Sequence, residues 1–337
     1  MKVREAKQLA REWVAQRAGS IPNYAGTIMT GSIHWSDDEA DWPASSDVDL
    51  NLLQETDTPL VHRKVPYAGI IIEASYQSAG GFRDVPSLLA NAYAPHWMHP
   101  CVVDDPQGWL TDVHRQVTAD YAKPQWVRKR IENVAGNAAH KLTNARDRQS
   151  TFSRMLQFTL GIRNIAAIPA VAAKVNPTNR RCLVLAGKLM RDTPLADLHE
   201  EMLRAMGGPG LSAATVTRHI AQVAELLDVA VGVLKTPFWG DFNVEPCIRP
   251  IAVGGSLELV RAGLHREAEF LVLLMLYFCH RALANDGPEA DKPGYQQMLN
   301  AVLDDVGLGG PDGFAPRAIE ALALLEKVKL AVLAQCE

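Results

Sequence analysis

In Ser46-Asp47-Val48-Asp49-Leu50-Asn51-Leu52 polar and apolar side chains alternate from Asp47 on, and this period of two constrains the fold more than any other stretch. Successive side chains of a strand point to opposite faces, so Asp47, Asp49 and Asn51 share one face while Val48, Leu50 and Leu52 share the other. The apolar face belongs against a core, and the other carries two carboxylates side by side. Like charges that close repel, and a cation between them relieves the conflict; oxygen ligands at short range suit Mg²⁺. A second apolar run, Ile70-Ile71-Ile72-Glu73-Ala74-Ser75, is broken by a single acid, and Glu73 is the natural third ligand.

Upstream, Thr27-Ile28-Met29-Thr30 reads as a strand and ends at Gly31-Ser32. A glycine there lets backbone approach a phosphate with no Cβ in the way, and the Ser32 hydroxyl and nearby N–H groups suit phosphate oxygens. Gly-Ser, then Asp-x-Asp on the next strand, then a lone Glu on a third, resembles the nucleotidyltransferase superfamily, in particular the small-molecule branch that contains the aminoglycoside adenylyltransferases. The resemblance covers residues 20–105, and the helical remainder in outline.

That resemblance implies a division of roles. Gly31 and Ser32 would bind the phosphates, Asp47 and Asp49 would hold Mg²⁺, and Glu73 would complete the metal site or act as general base, the three acids together forming the catalytic set. It also implies transfer of AMP from ATP, or NMP from another NTP, to a hydroxyl of a small molecule such as an antibiotic. The alternatives are adenylylation of a protein or of a tRNA end, and a non-catalytic nucleotide-binding scaffold. Residues 33–46, which include His34-Trp35-Ser36-Asp37-Asp38-Glu39, stand where the family often has Ala-Arg-Gly. A cation for the phosphates is therefore expected elsewhere or is absent.

Composition narrows the classes. With 38 acidic against 34 basic residues, a formal net charge of −4, the chain is not built to wrap a polyanion, and no nucleic-acid partner is expected. Five cysteines, odd in number and without a Cys-x-x-Cys pair, point to reduced thiols of a cytoplasmic protein. The start, Met1-Lys2-Val3-Arg4-Glu5-Ala6, reads as a charged helix and not as a signal peptide, and the longest apolar stretch, residues 270–279, is half a membrane span. A buried central helix is expected there.

At 337 residues the chain has room for two domains. Strands are expected near 24–31, 47–54, 65–76 and 99–103, and the turn formers Asp104-Asp105-Pro106-Gln107-Gly108 set a boundary. The expected fold is α+β: a mixed-sheet nucleotidyltransferase domain over residues 1–105, then an all-helical substrate-binding domain over 106–337. On the first long helix of the latter, Arg130, Asn133, Asn137, Lys141, Asn144 and Arg148 form one polar stripe beside an apolar one. Lys141 and Arg148 are the candidate phosphate cations, set against a plain solvated helix face. His265 and Glu269, one turn apart, read as a surface pair, and Trp35, Trp97, Trp239 and Phe242 as half-buried packing residues.

Overall fold

The computed structural model describes residues 1–148, 150–207, 210–310 and 313–336. The architecture is α+β, a mixed sheet at the N-terminus followed by a helical region, as the sequence led us to expect. Two compact units are distinguishable: Met1–Asn133 with Lys174–Asn176, and Val134–Ala173 with Pro177–Glu337.

Five strands form the sheet of the first unit: β1 (Tyr24–Met29), β2 (Asp47–Gln54), β3 (Arg63–Tyr67), β4 (Ile70–Ser78) and β5 (Val102–Asp104), in the order β3-β4-β2-β1-β5. Strands β2 and β4 run parallel and the other pairs antiparallel. The alternation of β2 decides how the sheet is covered. Val48, Leu50 and Leu52 are fully buried in one core with Val3, Ala6, Ala10, Trp13 and Val14 of helix α1 (Val3–Arg17). Burying each of these three aliphatic side chains stabilises the layer by roughly 1.5–3 kcal/mol.

On the opposite face Ile28 and Leu53 enter a second core with Leu88, Leu89, Trp97, Cys101, Leu110, Val117 and Tyr121. These come from α3 (Val85–Leu89), which follows the short helix α2 (Gly80–Arg83), from the chain after α3, and from α4 (Trp109–Asp120) with its C-cap Tyr121. The acids lie on this face too.

Residues 65–76, expected as one strand, are the adjoining parts of a hairpin. Its two-residue turn is Ala68 (φ 46°) and Gly69 (φ 88°), both left-handed, the conformation that matches the twist of paired strands. The turn at residues 104–108 lies inside the first unit, because Leu110, Val113 and Val117 of α4 complete the second core.

The polar stripe of α5 (Pro124–Asp147) is neither uniformly solvated nor uniformly a ligand surface. Arg130 is fully buried, donating to the carbonyls of Leu89 (2.8 Å) and Tyr121 (2.7 Å), with its guanidinium 3.8 Å from the centre of the Tyr121 ring. Asn133 donates to the carbonyl of Ala90 at 3.0 Å. Both satisfy carbonyls at the end of α3 that have no partner within their own helix.

The second unit holds the rest of α5 and α6 (Thr151–Ala172), α7 (Cys182–Met190), α8 (Ala196–Gly207), α9 (Ala213–Val233), α10 (Gly255–Arg261), α11 (His265–Asp286), α12 (Lys292–Asp305) and α13 (Phe314–Leu333). Helix α6 is long and apolar enough to cross a membrane, yet 72% of its apolar window is buried inside the fold. Helix α11 is the buried central helix expected at residues 270–279.

Glu269, read from the sequence as half of a surface pair with His265, is fully buried and pairs instead with His219 of α9. His219 Nδ1 lies 3.0 Å from Glu269 and Nε2 2.9 Å from Asp305, which also takes Arg218. Burial opposes a charge on His219, but the two carboxylates raise its pKa above the ordinary value; burial raises that of Glu269, with His219 holding it part way back. Both groups therefore bind protons more tightly folded than unfolded, so stability falls as pH rises. The His219 part is complete below about pH 6.5 and is lost as pH climbs through the folded value. Melting temperatures are expected to decline with pH above that point, and less steeply in Glu269→Gln, whose amide oxygen still accepts from Nδ1–H. Parallel curves for the two proteins would refute the assignment.

Candidate active site

Two strand registers assemble the site. The parallel pairing of β2 and β4 sets Asp49 opposite Glu73, and the antiparallel pairing of β3 and β4 sets Lys64 opposite Glu73 from the other side. Asp47, two residues before Asp49, projects from the same face. One oxygen from each of Asp47, Asp49 and Glu73 can lie within 4.8 Å of the others, and among the described residues no other group of His, Cys, Asp or Glu is drawn together in this way.

Lys64 sits among these acids, its side chain only 3% exposed. Its Nζ donates to Asp47 Oδ2 and to Glu73 Oε2. The other Glu73 oxygen lies 3.1 Å from His62 Nε2, and His62 is within hydrogen-bonding distance of Ser75. Farther along the same face Gln77 donates to Asn51 at 3.2 Å. No donor among the described residues reaches the Asp49 carboxylate.

The pKa directions follow this unequal sharing. Burial raises Asp49, and the charges of Asp47 and Glu73 raise it further, so that it lies well above the usual carboxylate range. Burial also raises Asp47, against the pull of Lys64. For Glu73 burial acts upward, but Lys64 and His62 outweigh it and hold the carboxyl at about 2. Lys64 pulls Asp49 only part way back, and Asp49 is thus the acid that the ammonium does not touch.

Gly31 closes the site. Its backbone is left-handed (φ 76°), and a Cβ there would overlap the Asp49 carboxylate. Thr30 N–H donates to the Asp49 carbonyl at 2.8 Å, which fixes the turn against β2. Ser32 follows, exposed, at the start of a 3₁₀ turn, Ser32–Trp35. In that turn His34 bonds the Met29 carbonyl at 2.9 Å and stacks on His99, and Trp35 meets His99 edge-on at 4.6 Å.

Of the sequence-derived site residues, Gly31, Asp47, Asp49 and Glu73 come together, with Ser32 in the adjoining turn. Lys141 and Arg148 belong to the second unit: Lys141 is half-buried, its pKa lowered by burial and by Arg163, and Arg148 is exposed just beyond the end of α5. Lys64 and His62 were not anticipated. The signal that finds them is the hairpin turn, since residues equally far from Ala68-Gly69 face each other and Lys64 then meets Glu73.

The donor set fits a hard divalent cation. Its ligands are carboxylate oxygens, one carboxylate is reached by no donor among the described residues, and three acids with one ammonium leave a charge of minus two. Mg²⁺ would be held by Asp49 and Asp47, with Glu73 beside them.

Among solved structures, one that this chain is similar to is a nucleotidyltransferase-like protein from Exiguobacterium sibiricum, with 12% identity, 89% of each chain covered and a TM-score of 0.31. A likeness of that size fixes neither fold nor chemistry. No protein-family model matches the chain, and no curated protein matches it.

The contact between Gly31 and Asp49 is testable as a coupling. Gly31→Ala is expected to cost about 1–3 kcal/mol of stability, from backbone strain and the clash together. In an Asp49→Ala background the clash is gone and the cost should shrink by at least about 0.5 kcal/mol. Denaturant unfolding of the four proteins measures it, and additive costs would show that the two residues do not touch.

Proposed function

We propose that the first unit is the catalytic part of a divalent-metal-dependent nucleotidyltransferase that moves a nucleoside monophosphate from an NTP, ATP in the simplest case, to a hydroxyl of a small molecule. The observation that carries this reading is the gathering of Asp47, Asp49 and Glu73 from two strands in register, with the Gly31 turn packed against one of them. The chemistry asks for that combination: acids to hold a cation beside the phosphates, and a turn without a side chain where backbone must approach them.

When bound, the cation supplies charge neutralisation for the phosphates and for the departing pyrophosphate. The rest falls to the chain. Gly31 and Ser32 would receive the phosphate oxygens through backbone N–H and hydroxyl groups, keeping the α-phosphorus in line with the incoming hydroxyl. A bond forms from that oxygen to phosphorus as the bond to pyrophosphate breaks. Glu73 has both oxygens engaged, by Lys64 and His62, and is held at about 2. This favours a part in holding charge over one as general base, and the hydroxyl proton passes to solvent.

The non-catalytic scaffold draws on one observation, the Lys64 ammonium already seated on two of the three acids. Magnesium-dependent release of pyrophosphate separates the two readings. Incubating the protein with each NTP, Mg²⁺ and a panel of hydroxylated metabolites and antibiotics, with mass detection of an added nucleotide, tests the reaction itself. Asp47→Asn and Asp49→Asn are expected to abolish transfer, by at least about a hundredfold, with the fold retained. In chelator, Asp49→Asn should melt slightly above the wild type, because it removes the acid that Lys64 does not touch. Asp47→Asn should not, because it takes a partner from Lys64. Wild-type turnover in either variant would end the metal assignment.

A further inference from the structure

Lys64 is placed too specifically to be a bystander. The tight turn at Ala68-Gly69 fixes the hairpin register, and that register delivers Lys64 to Glu73 and across to Asp47 on the neighbouring strand β2. Its side chain is almost wholly out of water, where an ammonium persists only with anionic partners. It takes one oxygen of Asp47 and one of Glu73, and His62 covers the second oxygen of Glu73. What remains for a mobile cation is Asp49, which no donor among the described residues reaches, and the Asp47 oxygen that Lys64 does not take.

We propose that Lys64 is a built-in counter-cation that stands between Asp47 and Glu73, so that the acid site takes one divalent ion, on Asp49 and Asp47, and not two. The proposal rests on the metal-dependent reading of the site and adds its stoichiometry. Charge supports it. Three carboxylates and one ammonium are balanced by one divalent ion, whereas two such ions beside Lys64 would leave an excess of two positive charges before any nucleotide arrives. A covalently tethered cation also needs no free ion to fill its place, so the Asp47–Glu73 gap stays neutralised at any metal concentration.

The test counts ions directly. Mn²⁺ is titrated into the full chain without nucleotide, and the free aqua ion is followed by electron paramagnetic resonance. Wild type and Lys64→Arg should each bind one Mn²⁺ per chain, and Lys64→Met two, the second entering where the ammonium stood. Asp49→Asn should lose the single wild-type site. In chelator Lys64→Met should melt below the wild type and regain the difference in Mn²⁺, since its three acids then lack the ammonium. If Lys64→Met does not fold, Lys64→Gln carries the same count. Two ions in the wild type, or one in both uncharged variants, overturns the assignment of Lys64 alone. A wild type that binds no Mn²⁺ overturns it together with the metal-dependent reading.

Discussion

Crowding of like charge on one face of the sheet is the constraint around which the first unit is arranged. Asp47, Asp49 and Glu73 offer oxygens within 4.8 Å of one another. At an effective dielectric of about 20, each pair at that distance repels by roughly 3–4 kcal/mol. Three such pairs approach the whole stability of a typical domain, about 5–15 kcal/mol. Bare carboxylates so placed are costly, and Lys64 on two of them relieves part of that cost as well as shaping the site. The residual demand sits on Asp49. No donor among the described residues meets that demand, and a cation at the proposed site would meet it.

The sheet's acid face was legible because its signal is local. Alternation over residues 47–52 assigns sides without knowledge of neighbours, and an acid inside an isoleucine run marks Glu73 as exceptional wherever the strand lies. Lys64 escaped because residues 65–76 read as one continuous strand, which erases the register. Its turn carries Ala68 at positive φ, a residue seldom found in a turn dominated by Asn, Asp and Gly, so the hairpin gave no warning. Once that turn is seen, four residues on either side of it pair Lys64 with Glu73 without further information.

Helix faces failed in a different way. A wheel shows which residues of α5 project together, but not whether they meet water or protein. Arg130 and Asn133 meet carbonyls at the end of α3, some forty residues earlier in the chain, while Arg148 of the same stripe is exposed. Glu269 is the same case in α11: its nearest sequence partner is one turn away, its real partner, His219, fifty residues away. Periodicity encodes direction relative to a helix axis, and the identity of whatever lies in that direction is a long-range property that one sequence does not display.

The joining of Gly31 to Asp49 links the two halves of the candidate chemistry. Thr30 N–H is held by the carbonyl of the residue whose carboxylate Gly31 faces, so the turn and the metal-facing acid are tied through both backbone and side chain. Neither can shift without the other. A phosphate seated on the turn would lie beside the least neutralised acid of the cluster, where its own negative charge is tolerable only with a cation present. On the proposed reading, a nucleotide on the turn and a cation on Asp49 would favour one another, and that coupling would follow from two strand registers and one absent side chain.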